Sequence, residues 1–222
     1  MRVNEKFALK IPKDLPPATA CPLLCGGGTV FEAVVDYVKP GTKVAVSSIG
    51  GLGTAAIKLA TAYGGHVTAL SRSESKRENA LGVGAKYFVP CLGSPDKMKE
   101  LSGKFDVIID TCPVNTGISN HMDMLKFNGT YCRVGIPETG NQSFSYEFIP
   151  LIFSEKKIAG SIVTGMKRMR DMLELVATNI ETLGADPNDW GTKTVPFTQI
   201  NETMDELQHG KNKTNWRYIL EW

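Results

Sequence analysis

The segment 44–73 constrains the fold of this chain more than any other part of the sequence. A short apolar run at 44–46 predicts a β-strand, and a helical pattern of apolar residues follows directly after a glycine turn. A second apolar run at 67–70 predicts another strand. A strand, a glycine turn, a helix and a strand in this order form half of a dinucleotide-binding βαβ unit. The segment therefore predicts a parallel sheet with a phosphate-binding turn.

Three glycines of the turn have separate roles in such a unit. Gly50 permits the tight turn, Gly51 lets the backbone approach a diphosphate, and Gly53 lets the helix pack closely on the sheet. The phosphates would lie at the N-terminus of the helix, where amide N–H groups are unpaired and the helix dipole is positive. Ser48 stands where the motif G-x-G-x-x-G has its first glycine, so the match to the motif is incomplete.

The end of the second strand indicates which nucleotide fits. An NAD site commonly has an acidic residue there, which accepts hydrogen bonds from the ribose 2′-hydroxyl. This chain instead has Ser71, followed by Arg72, Ser73, Lys76 and Arg77. Hydroxyl and cationic groups favour the 2′-phosphate of NADP, which an arginine binds in bidentate fashion. A serine turn that caps the next helix, with solvated Lys76 and Arg77, is the alternative. The two interpretations are compatible, and we favour NADP over NAD.

The composition is that of a soluble globular chain. With 222 residues, of which 42% are hydrophobic and 22% charged, the chain is long enough for a substantial core. A formal net charge of +2 gives no reason to expect nucleic acid or an anionic membrane as a partner. No uninterrupted apolar run reaches the roughly 18 residues of a membrane span, and the start lacks the apolar core of a signal peptide. We therefore expect a cytoplasmic protein, whose five scattered cysteines are reduced.

The alternation of strands and helices continues along the chain. Further strands are predicted at 87–89, 105–110, 129–135 and 158–163, and helices at 75–81, 96–101, 118–127, 167–180 and 201–209. This pattern predicts an α/β fold, a doubly wound parallel (Rossmann) sheet with ligands at the carboxyl ends of its strands. The two ends of the chain do not fit this unit, because 3–11 alternates like an edge strand and 216–222 reads as a strand. The segment 184–191 is predicted to be a polar surface loop.

Colinear motifs resemble the medium-chain dehydrogenase/reductase superfamily, particularly NADP-dependent zinc alcohol dehydrogenases of the cinnamyl alcohol dehydrogenase type. The matching segments are 7–12 (FALKIP), 21–31 (CPLLCGGGTVF), 49–53 (IGGLG), 71–73 (SRS), 135–137 (GIP), 160–165 (GSIVTG) and 215–220 (NWRYIL). The resemblance implies that 1–20 is a remnant of an otherwise absent N-terminal catalytic domain. It implies that 21–185 is an NADP-binding Rossmann domain and that 186–222 returns toward the catalytic domain.

The resemblance also implies the contacts that the cofactor makes. Thr29 is expected near the nicotinamide, Thr111 at the adenosine side, and Gly135 with the segment 161–164 at the nicotinamide end. The complete set of expected cofactor-binding residues is Thr29, Ser48, Gly50, Gly51, Leu52, Gly53, Ser71, Arg72, Ser73, Lys76, Thr111, Gly135, Ser161 and Val163.

A catalytic zinc is implied only for an intact parent enzyme. Cys25 occupies the position of one of three protein ligands in the family, and the other two belong to the absent domain. Since a catalytic zinc needs three protein ligands, we expect no stable zinc in this chain alone. His66, His121 and His209 do not stand at metal-ligand spacing with Cys25 and are expected to be structural or exposed.

The strand at 158–163 resembles the dimer edge of the family. Two such edges pairing antiparallel would extend the sheet across a homodimer and satisfy open backbone groups. An edge covered by solvent or by the absent domain is the alternative, and we favour the dimer.

Three functional hypotheses follow. The first is the NADP-binding portion of an alcohol dehydrogenase or aldehyde reductase, which transfers hydride between NADP(H) and a small alcohol or aldehyde. The second is a non-catalytic NADP-binding sensor or interaction module. The third is a zinc-independent, quinone-reductase-like enzyme, against which the context of Cys25 and the serine-rich phosphate pocket argue. We expect the chain alone to bind NADPH with negligible alcohol oxidation.

Overall fold

A six-stranded parallel sheet forms the centre of the protein. The computed structural model describes residues 2–115, 117–137, 142–209 and 217–222. The strands are β1 (Lys43–Ser47), β2 (His66–Leu70), β3 (Tyr87–Val89), β4 (Phe105–Asp110), β5 (Leu125–Arg133) and β6 (Lys157–Gly160). Their order is β3-β2-β1-β4-β5-β6, and every neighbouring pair is parallel. The predicted doubly wound sheet is confirmed.

Helices cover the sheet and connect its strands. They are α1 (Pro17–Pro22), α2 (Gly28–Tyr37), α3 (Gly51–Ala62), α4 (Arg77–Gly82), α5 (Pro95–Lys99), α6 (Ser119–Met124), α7 (Phe148–Phe153), α8 (Met166–Thr178), α9 (Ile180–Leu183) and α10 (Ile200–Gln208). A π-helical turn at Leu23–Gly27 joins α1 to α2. A separate two-stranded parallel sheet pairs β7 (Thr192–Pro196) with β8 (Arg217–Glu221).

Strand β1 separates two hydrophobic cores because alternate side chains of a strand point to opposite faces of a sheet. Val44 and Val46 pack on one face with Ile57 of α3. Ala45 packs on the other face with Met122 of α6. Helices therefore cover both faces of β1, as expected for a buried parallel strand.

The N-terminal end of the chain differs from its prediction, whereas the C-terminal strand is observed. Residues 3–11 do not form the predicted edge strand, and a single 3₁₀ turn at Glu5–Phe7 stands there. The prediction was wrong because alternation alone does not make a strand: its backbone groups need a neighbouring strand. The predicted strand at 216–222 is observed at Arg217–Glu221, while Trp216 lies outside the described residues. The segment 184–191, predicted as a polar surface loop, contains a 3₁₀ turn at Pro187–Trp190; Ala185, Asp186 and Asn188 are exposed, whereas Trp190 is buried.

The helix predicted at 118–127 is also shorter than expected. It ends at Met124, and β5 begins at Leu125, four residues before the predicted strand. The pairing of β5 with β4 is irregular at this point, since the register shifts between Phe105 and Val107. The strand predicted at 158–163 likewise ends early, at Gly160.

The helical run Pro17–Tyr37 is long and apolar enough to cross a membrane by length and composition. More than half of its apolar window is buried inside the fold. Leu23, Phe31 and Val34 belong to the hydrophobic core around α3, so these apolar residues of the run have partners within the protein.

Candidate functional site

A cleft of about 430 Å³ opens at the carboxyl ends of β1, β2, β3 and β4. Ligands of open parallel sheets bind at this position, and the volume lies within the range of small-molecule sites. One side of the cleft is polar and basic, formed by Ser48, Ser71, Arg72, Ser73 and Lys76. The other side is mainly apolar and includes Leu92, Pro95, Met98, Pro113 and Val114, with Cys112, Asn120 and His121 beside them.

The basic side brings two cations together without a carboxylate. Lys76 donates from Nζ to the carbonyl of Ile49 at 2.7 Å, so its ammonium reaches the glycine turn. Burial lowers the pKa of Lys76, and the nearby charge of Arg72 lowers it further. None of the described residues that line the cleft is acidic. An anionic group bound here would therefore relieve the repulsion between the cations.

The backbone of the glycine turn is held on both sides. Ser48 N donates to the carbonyl of Leu70 at 3.0 Å, and Ser48 O accepts from Thr111 Oγ1 at 3.1 Å. A Cβ added to Gly53 would lie 3.1 Å from the carbonyl carbon of Ser48 and closer still to its oxygen, so only glycine permits this approach. Gly50 differs, because no atom lies within 4 Å of the place where its Cβ would be. Open space therefore adjoins the first amides of α3.

Arg217 reaches this open turn from β8. A Cβ added to Gly51 would lie 2.9 Å from Arg217 Nε, and one added to Gly26 would lie 3.0 Å from Arg217 Cζ. The amide of Arg217 donates to the carbonyl of Gly191 at 3.0 Å, which anchors the start of β8. The guanidinium thus lies over the N-terminus of α3, where the sequence alone did not place it. A lone arginine before an apolar run is too common a pattern to indicate a site.

The residues expected at the nicotinamide end form a second group. Ser161 donates from Oγ to the carbonyl of Thr29 at 2.7 Å, and Thr29 donates from Oγ1 to the carbonyl of Cys25 at 2.7 Å. Val163, two residues after Ser161 in the chain, is exposed. Gly135 is packed against the backbone, since an added Cβ would lie 2.8 Å from the carbonyl carbon of Cys112. The structure brings Thr29 and Ser161 into contact, apart from the lining of the cleft.

The hydroxyl of Thr111 serves the fold. Thr111 is nearly inaccessible and donates from Oγ1 to the carbonyls of both Ser47 and Ser48. Leu52, also expected at the cofactor, is partly buried against the core around α3.

A buried polar network lies next to the cleft and was not foreseen. Asp110 is inaccessible and accepts at 2.6 Å from both Tyr131 Oη and Arg133 Nη1. His121 Nε2 lies 2.8 Å from Ser47 Oγ, while His121 Nδ1 is buried without a hydrogen-bond partner among the described residues. Burial lowers the pKa of His121 and raises that of Tyr131.

The buried cysteines are also held in the thiol form by their surroundings. Cys91, Cys112 and Cys132 are buried, whereas Cys21 and Cys25 are exposed. Burial raises the pKa of Cys112 to about 12, and Asp110 adds to this shift.

The residues do not fit a catalytic zinc. Over residues 2–115, 117–137, 142–209 and 217–222, no group of three or more His, Cys, Asp or Glu side chains could hold a metal ion. Cys25 is exposed and belongs to no such group in that part of the chain.

Comparisons with known proteins decide the family. The sequence model of the family described as zinc-binding dehydrogenase matches residues 51–178, which is more than half of the chain. The chain belongs to the zinc-binding dehydrogenase family. The match begins at the N-terminus of α3 and ends with α8, so it contains β2 to β6.

Relatives in this family are longer than the chain. A mannitol dehydrogenase of Apium graveolens is 35% identical over 224 residues, which cover all of the chain and 58% of the relative. A cinnamyl alcohol dehydrogenase of Sorghum bicolor superposes with a TM-score of 0.84 at 31% identity, over 98% of this chain and 59% of that one. The CAD from Helicobacter pylori complexed with NADP(H) superposes with a TM-score of 0.79 at 28% identity, with coverages of 98% and 59%. The chain thus spans a little under three fifths of their length.

Proposed function

We propose that this chain is the NADP-binding part of an alcohol dehydrogenase or aldehyde reductase, which transfers hydride between NADP(H) and a small alcohol or aldehyde. The observation that carries the proposal is the cleft at the strand ends, where serine hydroxyls and two cations meet without a carboxylate. Structural likeness to the Helicobacter pylori protein, whose title gives NADP(H) as its ligand, supports the same choice of cofactor.

Each phosphate of the cofactor has a proposed partner in the chain. The diphosphate binds the first amides of α3 and the Arg217 guanidinium, because both present positive charge to the open space beside Gly50. The 2′-phosphate binds Ser71, Ser73 and the cations Arg72 and Lys76.

The rings of the cofactor lie on either side of these phosphates in this proposal. The adenine lies against the apolar side of the cleft, formed by Leu92, Pro95 and Met98. The nicotinamide lies toward Thr29 and Ser161, with the backbone of Gly135 and Val163 at the same end. When bound, the nicotinamide supplies the hydride chemistry, and the chain orients it. Since the described residues form no metal site, we expect negligible alcohol oxidation by this chain alone.

A non-catalytic NADP-binding module is the second candidate. The same observations favour it, because the cleft has a full set of polar and apolar partners for a nucleotide while the described residues hold no metal cluster. Tight NADPH binding without turnover, even in the presence of added zinc, would favour this candidate. Zinc-dependent turnover by this chain would contradict it.

We also propose that two copies of the chain pair through β6. This strand ends the sheet order, and within the described chain it has a neighbour on one side only. Ile162 just beyond it is 75% exposed, and the apolar helix α7 before it has no buried residue. An antiparallel partner strand would satisfy the open backbone groups and cover these side chains. Light scattering at micromolar concentration tests this: we expect a dimer, and a monomer would contradict the proposal.

Titration with NADPH and NADH tests the cofactor assignment. Binding of either nucleotide is followed through nicotinamide fluorescence on the wild type and on Lys76→Met. We expect NADPH to bind at least about tenfold more tightly than NADH, because charge-assisted contacts to the extra phosphate strengthen binding. Lys76→Met should remove most of that preference. Lys86→Met is the matched control, because Lys86 is exposed at the opposite, amino end of β3. Equally weak binding of the two nucleotides to the wild type would overturn the assignment.

A further inference from the structure

Ser48 has a backbone conformation that a serine rarely adopts. Its φ is +74°, and it is one of three described non-glycine residues with a positive φ. This left-handed region is unfavourable for residues with a Cβ and favours glycine. Residues held in such sparsely populated conformations cluster at active sites and ligand-binding sites.

The surrounding structure enforces this conformation. The amide of Ser48 donates to Leu70 and its carbonyl accepts from Thr111, so the peptides on both sides of the residue are fixed. The same carbonyl lies against Gly53 at the start of α3. A glycine at position 48 would satisfy all these backbone contacts without strain. The reason for a serine must therefore be sought in its side chain.

Ser48 belongs to the basic side of the cleft. Ser48 lines the cleft together with Ser71 and Lys76. The ammonium of Lys76 lies 2.7 Å from the carbonyl of Ile49, the next residue in the chain, so the cation is next to Ser48. None of the hydrogen bonds among the described residues uses the Ser48 hydroxyl. Ser48 is a half-buried residue of this cationic cleft, and its hydroxyl hydrogen is not used by the described residues.

We propose that the Ser48 hydroxyl donates a hydrogen bond to the 2′-phosphate of the cofactor and thereby helps to select NADP over NAD. This inference rests on the proposed function of the cleft. A phosphate presents several strong acceptor oxygens and accommodates hydroxyl donors in addition to the two cations. Glycine at position 48 would relax the turn but would supply no donor. Ser48 is therefore a specificity-determining residue whose side chain offsets its strained backbone.

Two variants and two nucleotides distinguish the effect of losing the Ser48 hydroxyl from the effect of relieving the backbone strain. Binding of adenosine 2′,5′-bisphosphate and of adenosine 5′-monophosphate is measured by calorimetry on the wild type, Ser48→Gly and Ser48→Ala. We expect both variants to bind the bisphosphate about tenfold more weakly, as for the loss of one charge-assisted hydrogen bond, and the monophosphate unchanged. Melting temperature is the second readout: it should rise in Ser48→Gly, which relieves the strain, and not in Ser48→Ala, which retains it.

Glu155→Gly is the matched control. Glu155 is exposed, also has a positive φ, and lies before β6, away from the cleft lining. Its replacement should raise the melting temperature without changing the affinity for either nucleotide. If the wild type prefers the bisphosphate and Ser48→Gly retains that preference, the inference is wrong while the proposed function stands. Equal weakening of both nucleotides would also refute it. A wild type without preference for the bisphosphate would overturn the proposed function itself.

Discussion

Gly53 lies so close to the carbonyl of Ser48 that the turn before α3 depends on the absence of a side chain there. In Gly53→Ala the new Cβ would lie 3.1 Å from the Ser48 carbonyl carbon and 3.2 Å from Thr111 Oγ1, with the Ser48 oxygen nearer than either. All these atoms belong to backbone or to a hydroxyl engaged in hydrogen bonds. The clash is relieved only if α3 or the turn moves.

The expected loss of stability follows from three contributions. Overpacking at a fixed position costs about 1–3 kcal/mol. Displacing the Ser48 carbonyl from Thr111 costs about 1 kcal/mol. Replacing glycine by alanine within a helix offsets about 1 kcal/mol of this. The net change in the free energy of unfolding is therefore about 1–3 kcal/mol, which for a chain of 222 residues lowers Tm by about 2–12 °C.

Thermal unfolding followed by circular dichroism, together with NADPH titration, measures both consequences. Gly53→Ala should lower Tm and weaken NADPH binding. Gly50→Ala should leave Tm nearly unchanged and weaken NADPH binding only, because its Cβ would enter open space beside the proposed diphosphate site. Gly82→Ala is the helical control: Gly82 is exposed, no atom lies within 4 Å of its Cβ position, and the substitution should stabilise slightly. A Gly53→Ala protein as stable as the wild type would refute the reasoning.

The buried network beside the cleft gives two further predictions. Asp110→Asn leaves Arg133 without its counter-charge and should lower the free energy of unfolding by roughly 3 kcal/mol in urea titrations, whereas Tyr131→Phe should lower it by only about 1 kcal/mol. Equal losses of unfolding free energy in the two variants would contradict the interpretation that the ion pair with Arg133 is the main interaction of Asp110. Because burial lowers the pKa of His121 from its ordinary 6.5, the unfolded state binds a proton more readily, and stability should fall as pH falls below about 6.5. His121→Leu should flatten this part of the Tm-against-pH curve, and identical curves for the two proteins would contradict the assignment.

Local sequence patterns were sufficient to predict the central βαβ unit. The apolar runs of β1 and β2 have few alternatives once a glycine turn and a helical pattern separate them, and the sheet followed from their repetition. The predicted edge strand at 3–11 and the last residues of the helix predicted at 118–127 failed for a common reason. Whether such segments form strands depends on whether a neighbouring strand is available, which the local pattern does not contain.

The residues of the candidate site were predictable where they are close together in the sequence and unpredictable where they are far apart. Ser71, Arg72, Ser73 and Lys76 follow one strand closely, so their shared position at its carboxyl end was predictable, and the structure places them in one cleft. The position of Arg217 over Gly51 was not predictable, because the two residues are more than 160 residues apart in the sequence. The hydrogen bond between His121 and Ser47 was not predictable either, since it joins a helix to a strand 74 residues earlier in the chain.

The amino-acid sequence by itself determined the order of strands and helices from β1 to β4, the glycine turn, and the chemistry of the side chains that follow β2. These properties depend on neighbours within a few residues, through backbone sterics and side-chain periodicity. Only the tertiary structure decided that Ser48 is strained, that Lys76 reaches the turn, and that Arg217 lies above it. Such contacts join residues that are remote along the chain, and they exist only after the packing of the whole sheet has brought those residues together.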